Sequence, residues 1–463
     1  IHGGRLESNL LQSVQEAEDG LQCGMETLSG LVRLFLLGRS APLPEAVRLL
    51  GADCCVLLLE LEFLAAFEGP ACRRVPAAEA VAAVIAGGPQ CERILAIPTA
   101  AIWPAEEDLL IATDFEETFF QDEEGEPVMY LSEDSLALAS AAPRVPVRSA
   151  LDVCCGCGVQ GLVALRHYAE RATFVDLNPR ALGFVRFNLQ LNDLSDRADA
   201  LITGNVECAL QGLGHFGTVL ANPPFMPNPH CIATGASCLF GDGGDSGEEV
   251  LERIVAHAPA LLAPGGRLVA VTKAPNVKDL PSRIEGWYDA GAGCMADFEA
   301  LIFHGTPLPA ERYLPTSSRA EAERYQAAMR ERDVQDLSQA VIVLTAGRKA
   351  EPPSTPSARA RLCGEPRRIL WRDHAFLQLV VQSCLPEPAM TPDETPWEGP
   401  GLPGTRTAQR RPTTVSINAT EGEKLNRGCS LPGFQRGFFP AECQPLRAEW
   451  ISTARELERI SLA

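Results

Sequence analysis

Between residues 146 and 349 the chain alternates short apolar runs with longer stretches that carry apolar residues on one helical face. The runs at 149–153, 172–175, 218–221, 267–272 and 340–345 have the length and apolar continuity of strands buried on both faces. Helical spacing fills the gaps at 161–168, 179–191 and 248–262. A helix between consecutive strands carries the chain back to start the next one in the same direction. The pattern therefore predicts an α/β fold, a Rossmann-like parallel sheet with helices on both faces. Ligands of such sheets bind beyond the carboxyl ends of the strands, near the point where strand order reverses.

Residues 1–145 read as a separate, mainly helical accessory domain. Leu28, Leu31, Val32, Leu34, Phe35 and Leu36 recur at helical spacing, and shorter helices are expected at 46–50 and 77–85. Gly-Arg-Ser-Ala-Pro at 38–42 and Gly-Gly-Pro at 87–89 punctuate them. The apolar stretch 54–67, interrupted by Glu60 and Glu62, reads as a buried helix, and the acidic stretch 106–126 as a solvated loop or hairpin rim. From residue 351 to 463 Pro, Ser, Arg and Gly dominate, which predicts a low-complexity, mostly disordered tail with one helix-like run at 369–381. The Asn418-Ala-Thr sequon in that tail reads as accidental. The domain boundaries are thus 1–145, 146–350 and 351–463.

Charge is uneven. The chain carries a net −20. Residues 351–463 hold 14 basic and 13 acidic side chains, so residues 1–350 hold 26 and 47, a net −21. An acidic body gains nothing from phosphate attraction, which tilts the partner away from nucleic acid. The 16 cysteines show no even framework and include two adjacent pairs, Cys54-Cys55 and Cys154-Cys155. They read as reduced thiols of a cytoplasmic protein. The Cys-x-x-Cys at Cys154 and Cys157 has no second ligand pair at zinc spacing, so no metal is expected. No run of about 18 apolar residues predicts a membrane span. The first residue is Ile1, which leaves room for an upstream targeting segment.

Two segments carry the chemistry. The first is Ala150-Leu-Asp-Val-Cys-Cys-Gly-Cys-Gly158, a strand end, a turn and a helix start. Glycine is needed where backbone must approach a ligand without a Cβ, and helix N-terminal amides then face the ligand's polar end. About 18 residues on, the next strand ends at Asp176, where a carboxylate can accept both hydroxyls of a ribose. A nicotinamide dinucleotide site uses the same elements but wants G-x-G-x-x-G, and the run 154–159 reads C-C-G-C-G-V. The loop is therefore read as a cradle for S-adenosylmethionine (SAM). The second segment, Asn222-Pro-Pro-Phe225, follows a strand 64 residues after Gly158. A conjugated nitrogen is a poor nucleophile because its lone pair is delocalised. If the Asn222 side-chain oxygen and the Pro223 carbonyl each accept an N–H, that lone pair can be freed and aimed. Pro223 and Pro224 fix the acceptors, and Phe225 offers a face for stacking. Asn-Pro-Pro more often makes a simple turn; its place after a strand and downstream of the loop favours the clamp.

These residues resemble the SAM-dependent class I methyltransferases with an Asn-Pro-Pro-[Tyr/Phe] motif, which include release-factor glutamine methyltransferases and small-domain nucleobase methyltransferases. The resemblance covers about residues 128–349 and rests also on Cys157-Gly-Val-Gln160 and Phe240-Gly-Asp-Gly-Gly244. It implies SAM contacts at Asp152, Gly156, Gly158 and Asp176, and a target clamp at Asn222, Pro223, Pro224 and Phe225. Two positions depart from the family. Cys154 stands where the first loop glycine would be, and Asn205 where an acidic residue would meet the adenine amino group. Asp242 reads either as a lining of the substrate mouth or as a cap for the helix starting near Ser246. The resemblance implies N-methylation, with a protein glutamine or an exocyclic amine of RNA or DNA as acceptor. The competing readings are an inactive methyltransferase-like interaction subunit, whose mark would be a broken clamp, and a methyltransferase of a small metabolite.

Overall fold

The computed structural model describes residues 26–367 apart from 37, 61, 70–72, 107–108, 116–126, 228–238, 294–296, 313–318 and 348–358. Helix α1 (Glu26–Leu31) runs into a π-turn (Val32–Leu36), followed by β1 (Ala41–Pro42), α2 (Leu43–Leu50), α3 (Ala52–Glu60), β2 (Leu64–Glu68), β3 (Arg73–Val75), α4 (Ala77–Ala86), β4 (Ile94–Pro98), β5 (Ala101–Glu106) and β6 (Leu109–Thr113). Strands β1, β4, β2 and β3 form an antiparallel sheet in that order, and β5 pairs with β6. The mainly helical expectation for this region is thus corrected to α+β. The expected helix across 54–67 divides where its two exposed glutamates fall: α3 ends at Glu60, Glu62 takes a left-handed φ of 58°, and β2 begins at Leu64. A left-handed residue ends a helix because it turns the chain off the axis.

The second unit continues with α5 (Glu133–Ala141), β7 (Val147–Val153), α6 (Val159–His167), β8 (Ala169–Asp176), α7 (Pro179–Leu191), β9 (Ala198–Thr203), β10 (Phe216–Ala221), α8 (Glu249–Leu261), β11 (Leu262–Pro275), α9 (Leu280–Ala292), β12 (Phe298–Gly305), β13 (Leu308–Pro309), α10 (Arg319–Glu331), β14 (Asp336–Ala346) and β15 (Ala360–Arg367). Its sheet runs β15-β12-β14-β11-β10-β7-β8-β9. Strands β7 to β11 pair in parallel, while β14 lies antiparallel between β11 and β12. Both faces are covered, so Leu268–Val271 of β11 and residues 340–344 of β14 are fully buried. Leu162, Phe174, Val269 and Val343 form one core face, while Leu151, Val219, Leu251, Ile254 and Ile342 form the other.

Strand order reverses between β7 and β10. The chain moves outward from β7 through β8 and β9, then returns to start β10 on the other side. The crevice above the carboxyl ends of β7 and β10 is where such a sheet takes its ligand.

Two boundaries differ from the sequence reading. Helix α5 lies within the expected accessory domain, yet it packs on α6, β11 and β14, and Val128 joins the same core. At the other end, β15 pairs in parallel with β12 inside the segment expected to be a disordered tail. The run at 369–381, the sequon at Asn418 and most of the acidic stretch 106–126 lie outside the described residues.

The accessory unit is tied to the sheet through α7. Asn188 and Asn192 lie four residues apart, hence on one helix face. Their side-chain oxygens accept the N–H of Ala112 (2.8 Å) and Leu110 (3.0 Å), and their amides donate back to the same residues' carbonyls (2.8 and 2.7 Å). Two side chains thereby stand in for a strand partner of β6. Asn188 also donates to the Cys157 carbonyl (2.9 Å), joining this dock to the glycine loop. Among the described residues no helix is long and apolar enough to cross a membrane.

Candidate active site

Two carboxylates shape the glycine loop. Asp152, near the end of β7, accepts the Gly161 N–H on Oδ2 at 2.7 Å. Asp176, at the end of β8, accepts the Gly156 N–H on Oδ2 (2.8 Å) and the Asn178 N–H on Oδ1 (2.8 Å). The turn itself closes by Gly158 N–H to the Cys155 carbonyl (2.7 Å) and Cys155 N–H to the Val175 carbonyl (3.1 Å). Burial pushes both carboxyls up, Asp152 well above the usual carboxylate range. The buried Cys157 thiol is likewise pushed up, to about 12.

The glycines divide into two roles. Gly156 has φ +51°, and a Cβ there would meet nothing within 4 Å, so its missing side chain leaves open space at the loop tip. Gly158 has φ +83°, and a Cβ would lie 2.9 Å from Val185 Cγ2. Cys154, standing in for a glycine, is held at φ 55°. Counting from Gly156 rather than Cys154 also corrects the motif. Gly156-x-Gly158-x-x-Gly161 is a complete G-x-G-x-x-G, and a Cβ on Gly161 would lie 2.2 Å from Phe174 Cε1. The third glycine lets α6 pack closely on β8.

The Asn222–Phe225 turn leaves β10 beside this loop. The Asn222 amide nitrogen donates to Asp134 Oδ2 (3.3 Å) and Ser135 Oγ (3.4 Å), both in the first turn of α5. Asn222 Oδ1 is buried and has no partner among the described residues. Pro223 is buried, and Pro224 and Phe225 are partly so. The segment 239–247 folds onto the turn: Met226 N–H donates to the Gly241 carbonyl (2.9 Å), and Gly243 N–H to the Met226 carbonyl (3.0 Å). A Cβ on Gly243 would lie 2.9 Å from Phe225 Cα, and one on Gly247 would lie 2.8 Å from the Phe225 carbonyl oxygen. That contact accounts for the glycine-rich run after the clamp. Asp242 accepts the Gly244 N–H (3.0 Å), while the start of α8 is served by Glu249, which accepts from Asp245 and Ser246. The Asp242 bond to Gly244 lies upstream of α8, which begins at Glu249.

Comparison with known proteins joins these observations. Residues 131–280 match the methyltransferase small domain family. The segment is a class I SAM-dependent methyltransferase domain. Within this chain it is similar to a Methanocaldococcus jannaschii protein provisionally named a protein N5-glutamine methyltransferase (28% identity over 137 residues, 29% of this chain). It is also similar to the release factor glutamine methyltransferase of Deinococcus radiodurans (32% over 155 residues, 31% of this chain) and to a tRNA adenine N6-methyltransferase of a Shewanella strain (29% over 101 residues, 21% of this chain). The chain spans 66%, 53% and 42% of those three relatives' own lengths. Among solved structures, a tRNA methyltransferase of M. jannaschii aligns with a TM-score of 0.33 at 12% identity, covering 55% of this chain and 58% of that one.

The methyltransferase domain's loop suits SAM by its own chemistry. Asp152 Oδ1 and Asn222 Oδ1 are buried acceptors with no partner among the described residues. Gly156 leaves a cradle that a side chain would fill. Asp176 accepts backbone N–H groups of Gly156, Leu177 and Asn178, and a carboxylate with about four acceptor sites retains capacity for a ligand hydroxyl. Beside it Leu177 is 50% exposed, an apolar surface suited to a purine face. The structure brings Asp152, Gly156, Gly158 and Asp176 together at this loop. Asn205 differs: its side-chain oxygen, the group expected to meet the adenine amine, accepts the Cys208 N–H (2.9 Å) as the N-cap of a short helix (Val206–Ala209).

Sequence reasoning missed Leu177, Asp134, Ser135 and Lys273. Lys273 follows the buried stretch of β11, and its Nζ lies 5.8 Å from the Phe225 ring centre. Burial lowers its pKa, partly offset by Asp134 and Glu133. Burial raises that of Asp134, partly offset by its hydrogen bonds from Ser135 and Asn222. Ser132-Glu-Asp-Ser135 gave only an ordinary helix-start signal in the sequence.

Proposed function

We propose that this chain transfers a methyl group from SAM to a conjugated nitrogen held by Asn222, and that the acceptor is the side-chain amide of a protein glutamine. The observation that carries the reading is the buried Asn222 Oδ1, without a partner among the described residues, on a proline-stiffened turn beside the glycine loop. When bound, SAM supplies an electrophilic methyl on sulfonium. The residues do the rest by position. Asp176 would bind the ribose hydroxyls, and the open space at Gly156 admits the cofactor against backbone. Asn222 Oδ1 and the Pro223 carbonyl would each accept one N–H of the acceptor, turning its lone pair toward the methyl, while Phe225 stacks on its plane. An oriented polar group of this kind contributes about 10²–10³ in rate. The proton that the acceptor nitrogen loses on methylation would be hydrogen-bonded at Asn222 Oδ1 until solvent takes it.

Two observations favour protein as acceptor. Residues 1–350 carry a net −21, which repels a polyanion. Two of the three relatives above bear glutamine methyltransferase names. The test is transfer of labelled methyl from SAM into fractionated cell extract. Label in protein, recovered as methylglutamine, supports the reading. Label in RNA moves the acceptor to a nucleobase amine. No label anywhere, with SAM binding seen by calorimetry, overturns activity in favour of an interaction subunit.

A further inference from the structure

The two ends of an asparagine amide have nearly the same shape, so packing alone does not decide which end faces a ligand. Hydrogen-bond partners on the protein side decide it. An inverted Asn222 would present its NH₂ to the acceptor's own N–H, two donors face to face, and the clamp would fail. We infer that Asp134 is a positioning residue, whose carboxylate binds the Asn222 amide nitrogen and so turns Oδ1 toward the methyl acceptor. The inference rests on the clamp reading of Asn222 given above.

The geometry separates Asp134 from its neighbour. Asn222 Nδ2 lies 3.3 Å from Asp134 Oδ2 and 3.4 Å from Ser135 Oγ. A hydroxyl can donate or accept, so Ser135 tolerates either end of the amide. An ionised carboxylate only accepts, so Asp134 tolerates only the nitrogen. Asp134 is itself immobilised: it is 2% exposed, and its Oδ1 accepts the Ser135 N–H (2.8 Å) and the Ser132 hydroxyl. That leaves Oδ2 for Asn222. Lys273, on the neighbouring strand, offsets the buried negative charge. The Ser135 carbonyl accepts from Gln160 Nε2 at 2.7 Å, so the same helical turn is also bolted to α6 just after the glycine loop. One turn of α5 thereby fixes the clamp relative to the cofactor loop.

Asp134→Asn keeps the shape and removes the preference, because an amide can face Asn222 with either end. With asparagine-selective ¹⁵N labelling, the Asn222 side-chain amide is assigned by its loss in Asn222→Ala. In the wild type its protons are expected to exchange slowly, and in Asp134→Asn the resonances are expected to shift and lose that protection. Methyl incorporation into extract protein is expected to fall about 10²-fold, with the SAM Kd by calorimetry within about twofold. Ser135→Ala is expected to leave the amide resonances nearly in place and lower turnover about threefold or less. Unchanged Asn222 resonances in Asp134→Asn overturn the inference. Loss of protection in Ser135→Ala overturns it too, and does so even if Asp134→Asn does not fold. Shifted resonances with undiminished turnover would uphold the placement of Asp134 and overturn instead the clamp role of Asn222.

Discussion

Gly161→Ala and Gly183→Ala make the same chemical change in two helices, and the structure assigns them opposite signs. A Cβ on Gly161 would lie 2.2 Å from Cε1 and 2.7 Å from Cζ of Phe174, a ring with no exposed surface. Carbon atoms pack at about 3.5–4.0 Å, so either the ring or helix α6 must move by more than about 1 Å. Overpacking of this kind costs about 1–3 kcal/mol. Replacing glycine within a helix gains about 1 kcal/mol, so the net for Gly161→Ala is a loss of up to about 2 kcal/mol. The Gly161 N–H also donates to Asp152 Oδ2 at 2.7 Å, so displacing α6 disturbs the glycine loop and SAM affinity should fall as well. Gly183 is exposed, lies within α7, and a Cβ there would meet nothing within 4 Å. Gly183→Ala should therefore gain about 0.5–1 kcal/mol and leave SAM binding unchanged. Urea unfolding of the full chain measures both, with calorimetry for SAM. The reasoning is refuted if the two variants change stability in the same direction.

Cys154 sits at φ 55°, where a side chain costs about 1–2 kcal/mol. Cys154→Gly should raise stability by about 0.5–1 kcal/mol after the glycine's greater freedom in the unfolded chain is counted; a lower urea midpoint would argue against strain in the loop. Glu248 is buried beside Arg283 (3.0 Å), and burial pushes its pKa up to about 7 from 4.5. A raised folded-state pKa means its contribution to stability is full below about pH 4.5 and lost as pH rises through about 7. Glu248→Gln should remove up to about 3 kcal/mol of that decline, read as the difference between wild-type and variant unfolding free energies at pH 5 and pH 8; parallel profiles would contradict it. Asp176→Ala removes the acceptor of both Gly156 and Asn178 N–H, so SAM affinity should fall about tenfold or more; calorimetry showing wild-type affinity would take Asp176 out of the site.

The sheet was legible because its strands are buried on both faces. Uninterrupted runs such as Val269–Val271 and 340–344 have no other use in a water-exposed chain, and the helices between them show a single apolar face. Strand β2 was hidden because Leu64–Glu68 follows α3 with only two glutamates to mark the break. Strand β4 alternates buried and partly buried residues over five positions, too few to separate from a helix turn. Strand β15 lay in a Pro- and Arg-rich stretch whose composition speaks for disorder. At the site, glycines and the Asn-Pro-Pro turn are local signals and were read. Gly161 was passed over because the motif was counted from Cys154, and its reason is a ring 13 residues away in sequence. Asp134 reaches Asn222 across 88 residues, a pairing that only the packing of α5 on the sheet creates.

The most direct test compares wild type and Asn222→Ala for methyl transfer from labelled SAM into extract protein, with SAM binding followed by calorimetry on the same samples. Wild type should bind SAM and label protein, and Asn222→Ala should bind SAM with unchanged affinity and label nothing. Transfer by Asn222→Ala at the wild-type rate, or failure of the wild type to bind SAM, would contradict the account.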